Sequence, residues 1–232
     1  MRILLVRHAQ TPVNVAGVLS SVVPGPGLTD LGLEQADALA ASLAERTEIA
    51  GLYVSTLVRT RLTAEPVASE LAVPLVELDG LQEIEAGDAE DSADEASLRS
   101  YLAPIQTWGR GDFSAVIPGA FDGTHFFARF DAAVTAIEAA HDDPEATVVI
   151  VSHGVAIRVW VAGRTDNVDA RFTTTHDLDN TGIVEITGSM AGGWHVESWE
   201  GAPVGGPAVT DPTAADPAGE PLDPDAPGAV GR

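Results

Sequence analysis

Five side chains have the types and positions to do chemistry on an anion: Arg7, His8, Arg59, Glu83 and His153. Arg7 and His8 stand side by side after the apolar run Ile3 to Val6. A guanidinium forks onto two oxygens of a carboxylate or phosphate. An imidazole can attack phosphorus or pass a proton. Taken alone, the pair reads equally well as a surface cation and histidine that end a strand. The places of the other three residues give it weight.

Those places follow from the apolar pattern. Arg2 to Val6 reads as a first strand, Gly51 to Val54 as a second, Pro74 to Leu78 as a third, and Thr147 to Val151, β-branched throughout, as a central one. Between them lie helical stripes. Leu31, Ala36, Leu39, Ala40 and Leu43 share a face from Thr29, a plausible N-cap, to about Arg46. A helix capped by Ser55-Thr56 runs to about Leu71, with Pro66 inside it. Others span about Glu95 to Trp108, Asp122 to about His141, and Val155 to about Arg164. Asn14 to Leu28 and Gly109 to Gly119 read as loops, and 182–187 with 193–199 as a terminal hairpin. Alternating strands and helices predict an α/β fold: a three-layer sandwich with a mostly parallel sheet and helices on both faces. In such a sheet ligands bind beyond the strand C-termini. Arg7-His8, Arg59, Glu83 and His153 all follow strand ends, so one rim collects two arginines, two histidines and a glutamate.

That set suits phosphoryl transfer. His8 would attack phosphorus in line, and Arg7 and Arg59 would neutralise the equatorial oxygens. His153, preferably protonated, would add a donor. Gly154 would allow close backbone approach, and the helix it opens would add N–H groups. Glu83 would protonate the leaving alcohol and then activate water. It must start protonated, which burial or repulsion from Glu85, Asp88 and Glu90 would favour.

These residues lie in blocks that resemble the histidine phosphatase superfamily, also called phosphoglycerate-mutase-like. Arg7-His8-Ala9-Gln10-Thr11 with Asn14 is similar to its Arg-His-Gly signature. Leu28-Thr29-Asp30-Leu31-Gly32, Ser55 to Ala64, Leu81-Gln82-Glu83 with Gly87, and Val151-Ser152-His153-Gly154 resemble its later blocks, in family order across positions 4 to 154. The resemblance implies the phosphoglycerate mutase-like fold, with His8 as nucleophile, Glu83 as proton donor, and Arg7, Arg59 and His153 around the phosphate. Asn14 is carried over as a further phosphate ligand, and Asn180 as a residue that lines the site. Ala9 stands where glycine is usual, Thr56 where proline is common, and Asp91 where glycine is frequent. The segment 119–124 lacks the usual Gly-Glu-Ser on the substrate side.

Composition limits the alternatives. The chain has 232 residues and a formal net charge of −23, and its twelve cations are all arginine. Such a field repels nucleic acid and anionic membrane, so neither is expected as a partner. Without cysteine there is no thiolate catalysis, disulfide or Cys-ligated metal. No cofactor is expected. The expected partner is a small phosphorylated substrate. No leader or spanning segment is read, so a cytoplasmic location is the default. Monomer and homodimer are both left open. Residues 1–200 read as the catalytic domain, with a small cap around 84–125. Residues 201–232, rich in Pro, Gly, Ala and Asp, read as a disordered acidic tail. The function expected is a metal-independent phosphomonoesterase. The alternatives are a mutase-type phosphotransferase, a non-catalytic phospholigand-binding protein, and a metal hydrolase, which finds no ligand spacing to support it. Between Glu83 and Phe121 only Arg99 and Arg110 are cationic, which favours hydrolysis over a mutase. His125, His141, His176 and His195 read as loop or surface residues, and Arg61 and Arg158 as helix-surface residues.

Overall fold

The computed structural model describes residues 1–46 and 48–218. Six strands form one sheet in the order β3-β2-β4-β1-β5-β6. They are β1 (Arg2–Arg7), β2 (Gly51–Val54), β3 (Leu75–Glu77), β4 (Thr147–Ser152), β5 (Ile183–Ser189) and β6 (Gly193–Glu200). The first four run parallel, and the β5–β6 hairpin adds on antiparallel beside β1.

Side chains alternate across a strand, so each strand feeds two cores. Ile3, Leu5, Val148 and Ile150 point to one face. There they meet Phe126, Phe130 and Val134 of α5 (Gly123–Ala139) and Ile157 and Trp160 of α6 (Gly154–Arg164). Leu4, Val6, Val149 and Val151 point to the other. That face is covered by Leu39 and Leu43 of α2 (Asp30–Arg46) and Ala64 and Val67 of α3 (Val58–Leu71). The three-layer sandwich expected from strand–helix alternation is the fold observed. Thr29 caps α2 as expected, its hydroxyl accepting from the Gly32 N–H at 3.0 Å. Among the described residues no helix is long and apolar enough to cross a membrane.

Several local expectations need correction. The stretch after His8 is not all loop: α1 (Pro12–Ala16) interrupts it, started by Thr11 and Asn14 in a reciprocal capping box. Ser55 and Thr56 do not cap α3. Leu57 holds the cap position without a side-chain bond, and the Ser55 hydroxyl is used elsewhere. A short helix, α7 (Ala170–Thr175), follows α6, behind an Asp169 cap. Between β3 and α5 lies α4 (Glu95–Trp108), whose Tyr101, Ile105 and Trp108 join the core on the α5 side of the sheet. Asp91, at the position where glycine is frequent, has φ 59°. Aspartate is among the few side chains that tolerate this left-handed backbone.

The largest correction concerns the tail. Residues 201–218 are not disordered but lie along the body of the protein. Val204 packs under the α2–α3 core, and Val209 is buried. Residues 219–232 lie outside the described residues.

The register fixes the geometry of the rim. β1 pairs with β4 so that Arg7 lies opposite Ser152, and the next residues, His8 and His153, leave the sheet together. The core beneath must hold this register. Phe130 is fully buried, with Phe126 and Trp160 beside it at ring-centroid distances of 5.8 and 5.2 Å. Phe130→Ala should cost about 3–5 kcal/mol of stability in urea or guanidinium unfolding. A loss under 1 kcal/mol would show that α5 is not packed as described.

Candidate active site

The turn after β1 is held by the two helices behind it. The Ala9 N–H donates to the Thr63 hydroxyl of α3 at 2.9 Å, and the Gln10 N–H to the side-chain Oε1 of Gln35 on α2 at 2.8 Å. The Asn180 amide donates to the His8 carbonyl at 2.9 Å. Ala9 is fully buried, so its methyl group is accommodated without opening the turn.

His8 is buried, and its Nδ1 lies 2.8 Å from the Ala9 carbonyl. A carbonyl can only accept, so Nδ1 carries the hydrogen and the Nε2 lone pair is free. Burial, and then the charges of Arg59 and Arg7, hold the His8 pKa well below the ordinary histidine value. The ring is therefore neutral and nucleophilic at pH 7.

His153 sits edge-on to His8, with ring centroids 5.2 Å apart. Its Nε2 is 2.8 Å from the Ser55 hydroxyl, which lies 3.0 Å from the Thr60 hydroxyl. Nδ1 is buried and has no partner among the described residues. His153 was expected to be protonated. Burial foremost, then the cations around it, lower its pKa well below the ordinary value and make it neutral. A neutral ring still donates from Nδ1 if the Ser55 hydroxyl donates to Nε2.

Each of the two arginines is anchored through part of its guanidinium to a backbone carbonyl. Arg7 is fully buried and donates from NH1 to the Leu178 carbonyl at 2.9 Å. Arg59 is buried at the start of α3 and donates from NH2 to the Ser20 carbonyl at 2.9 Å. Burial pulls its pKa down to about 10, which leaves it charged at neutral pH. Arg7 Nε and Arg59 NH1 are buried without partners among the described residues. Asn14 is oriented by its capping box: Oδ1 accepts from the Thr11 N–H and hydroxyl at 3.0 and 2.7 Å, which aims Nδ2 at the same space as Arg7.

Glu83 completes the pocket. Its Oε1 accepts from the Ile84 and Ala156 N–H groups at 2.9 and 2.8 Å, and Oε2 from Val155 at 3.2 Å. The N–H groups expected to meet phosphate at the start of α6 are thus partly committed to this carboxyl. These donors and Arg59 favour the ionised form, but burial outweighs them and raises the Glu83 pKa. Burial, rather than repulsion from Glu85, Asp88 or Glu90, is the cause. Oε2, with one weaker donor, is the oxygen better able to carry a proton. Gly154 serves close approach of another kind: a Cβ there would lie 3.0 Å from Arg7 Nε.

The structure brings His8, Glu83, Arg7, Arg59 and Asn14 around one pocket, with His153 against His8 and Gly154 against Arg7. Sequence reasoning missed four supports. Ser55 orients His153. Arg129 of α5 donates to the Gly80, Gln82 and Glu83 carbonyls and so fixes the loop that carries Glu83. Its position three residues after Phe126 and four before Ala133 puts a cation on an apolar stripe, a signal that could have found it. Glu90 is not a solvated face: its carboxylate accepts from the Ser21 N–H and hydroxyl. Asp216, on the tail, bonds Arg7 and Asn14. Arg158, expected on a helix surface, is fully buried and donates to the Thr173 and His176 carbonyls. Arg61 is exposed and pairs with Glu65, as a helix-surface residue does. His125, His141, His176 and His195 lie elsewhere, beside Phe121, Tyr53, Phe172 and Asp166 respectively.

Comparison with known proteins shows the family. Residues 3–201 match the family described as the histidine phosphatase superfamily (branch 1). The PE-PGRS family protein PE_PGRS11 of Mycobacterium tuberculosis is 39% identical over 212 residues, which is 86% of this chain but 36% of that protein, so the chain spans about a third of that relative's length. The adenosylcobalamin/alpha-ribazole phosphatase of Salmonella typhimurium is 30% identical over 163 residues, 70% of this chain and 78% of that one. Among solved structures, a mycobacterial glucosyl-3-phosphoglycerate phosphatase superposes with a TM-score of 0.72 at 23% identity, covering 87% of this chain and 99% of the other. That last likeness concerns the fold.

Ser55 is a positioning residue in this geometry. Ser55→Ala should lower kcat/KM for a phosphomonoester about tenfold, the value of one lost hydrogen bond. Ser55→Thr should recover part of it while thermal unfolding stays near wild type. An unchanged kcat/KM in a folded Ser55→Ala protein would show that His153 needs no orientation from this hydroxyl.

Proposed function

We propose that this chain, which belongs to the histidine phosphatase superfamily, hydrolyses a small phosphomonoester through a phosphohistidine on His8, without a metal ion. The observation that carries the reading is the fixed tautomer of His8: Nδ1 is committed to the Ala9 carbonyl, so a neutral Nε2 lies among two buried guanidinium groups. Glu83, with its raised pKa, supplies the matching acid. Burial moves the two groups in opposite directions, lowering the imidazole and raising the carboxyl, so that an unprotonated nucleophile can stand beside a protonated acid in one pocket.

In the first step the Nε2 lone pair attacks phosphorus and the bond to the leaving oxygen breaks. Arg7, Arg59 and Asn14 take the equatorial oxygens, where charge is spread. Glu83 gives its proton to the departing alkoxide. In the second step water attacks the phosphohistidine and loses a proton to Glu83. The P–N bond breaks, returning neutral His8 and releasing phosphate. His153 Nδ1–H is a further donor to the phosphoryl group.

Hydrolysis is favoured over the mutase reading by the two cap-side arginines. Arg99 is exposed and pairs with Glu95 on α4. Arg110 lines a separate cavity with Trp108, Phe113 and Phe127. Neither stands ready to hold a second phosphate. The PE-PGRS and α-ribazole phosphatase relatives support the family reading but do not name this chain's substrate. A small soluble phosphorylated metabolite, met in the cytoplasm, is the class proposed.

The test is hydrolysis of p-nitrophenyl phosphate with EDTA present, together with trapping of an acid-labile phosphoprotein. Wild type should turn over and His8→Ala should do neither. Turnover retained by His8→Ala would sink the assignment, and turnover lost with EDTA and restored by a divalent ion would replace it with metal chemistry.

Glu83 makes a separate prediction. Burial raises its pKa, so its proton persists above the usual carboxylate range, and kcat/KM for an alkyl phosphate should fall as pH rises through that shifted value. Glu83→Gln should abolish this limb and lower kcat/KM about 10²–10⁴-fold for the alkyl ester. The loss should be much smaller for p-nitrophenyl phosphate, whose leaving group needs no proton. Equal losses on both esters would remove Glu83 as the proton donor.

A further inference from the structure

The C-terminal segment crosses the mouth of the pocket. Beyond β6 it is fastened at successive points along the catalytic face. The Val204 N–H donates to the Thr181 hydroxyl at 3.2 Å, and the Gln35 amide donates to the Val209 carbonyl at 2.8 Å. The Gln10 amide donates to the Asp211 carboxylate at 3.1 Å. The Ala215 N–H donates to the Val15 carbonyl at 3.4 Å. Two glycines in the body leave room for its backbone. A Cβ on Gly17 would come within 2.6 Å of the Ala215 carbonyl oxygen, and one on Gly154 within 2.6 Å of that of Ala218.

Between these points Asp216 turns its carboxylate into the site. Its two oxygens meet the Arg7 fork in a two-point pair, Oδ2 to NH1 at 2.7 Å and Oδ1 to NH2 at 2.8 Å. Asn14 Nδ2 donates to Oδ1 at 3.1 Å. These are donors that the proposed reaction assigns to the phosphoryl oxygens. A carboxylate is the nearest side-chain imitation of a phosphate face that a guanidinium fork can grip. With the segment in place, the cavity bounded by His8, Arg59, Glu83, Asp216 and Ala218 holds about 40 Å³. A small-molecule site typically needs roughly 300 Å³ or more.

We propose that residues 202–218 are an intramolecular inhibitor, with Asp216 occupying the phosphate position, and that substrate enters only when this segment is displaced. The proposal rests on the reading of the pocket as a phosphate site. A tethered anion acts at an effective concentration of about millimolar order, so a weak contact suffices to compete. If the closed form holds nine-tenths of the molecules, the apparent affinity for phosphate falls by about tenfold.

The test measures binding of inorganic phosphate to the full chain by calorimetry, which needs no turnover. Asp216→Ala should bind phosphate at least about tenfold more tightly than wild type, with Asp216→Asn between them. In steady-state assays KM should fall by the same factor with kcat little changed. Equal phosphate affinity in wild type and Asp216→Ala would overturn the inhibitor while leaving the phosphate site intact. No phosphate binding by either would overturn the reading of the site, and the inhibitor with it. Hydrogen exchange on wild type guards against a variant that fails to fold: saturating phosphate should speed exchange in 211–218. Unchanged protection there would mean that phosphate and the segment do not compete, and the proposal would fall.

Discussion

The structure turns on one requirement: two guanidinium groups are buried at the rim of the sheet, and buried charge needs opposite charge or hydrogen bonds. Arg7 ends β1 opposite Ser152 of β4, and Gly154 just beyond β4 leaves room for its guanidinium. The Leu178 carbonyl takes one of its N–H groups, and a carboxylate takes the fork. Arg59 is placed by the first turn of α3 and steadied by the Ser20 carbonyl. In a chain with a formal charge of −23, these two cations form a local positive pocket against an unfavourable surrounding field. An anion at the pocket therefore contributes to folding as well as to chemistry.

Burial also sets the protonation states. The same loss of water that makes Arg7 and Arg59 demanding makes His8 and His153 neutral and keeps a proton on Glu83 above the usual range. For the histidines, burial and the neighbouring cations act in one direction. For Glu83 they oppose, since Arg59 and three backbone N–H groups pull its pKa down while burial pushes it up and prevails. The protonation states that the proposed nucleophile and proton donor need thus follow from one constraint.

Much of this was legible in the sequence because it lies at strand ends. The apolar runs located β1 and β4, and the second residue after each run is His8 or His153. Arg59 and Glu83 were readable from order and family resemblance. Ser55 was misread as a cap because a serine before a helical stripe has that use more often than any other, and only the sheet register reveals the imidazole beside it. Arg129 left a trace, a cation on an apolar face. Asp216 left none. It is one of many aspartates in a segment without apolar periodicity, and its role arises from contacts with residues about two hundred positions away. Composition predicts that such a segment cannot build a core of its own. It does not predict that the segment will be bound by a core already built.

That distinction explains how an acidic segment of low hydrophobicity becomes ordered. Its order comes from the pocket it covers: the amides of Gln10, Gln35 and Asn14 and the fork of Arg7 are donors on a finished surface. Coupling of this kind is reciprocal. Whatever free energy the Asp216 carboxylate gains from Arg7 is free energy that an incoming phosphate must exceed, and a phosphate that binds must loosen the segment by the same amount. The chain's overall negative charge works in the same sense, because it slows the approach of a free anion and leaves a tethered one unaffected. What changes in the proposed cycle is which anion the Arg7 fork holds, Asp216 in the closed form and phosphate in the open one.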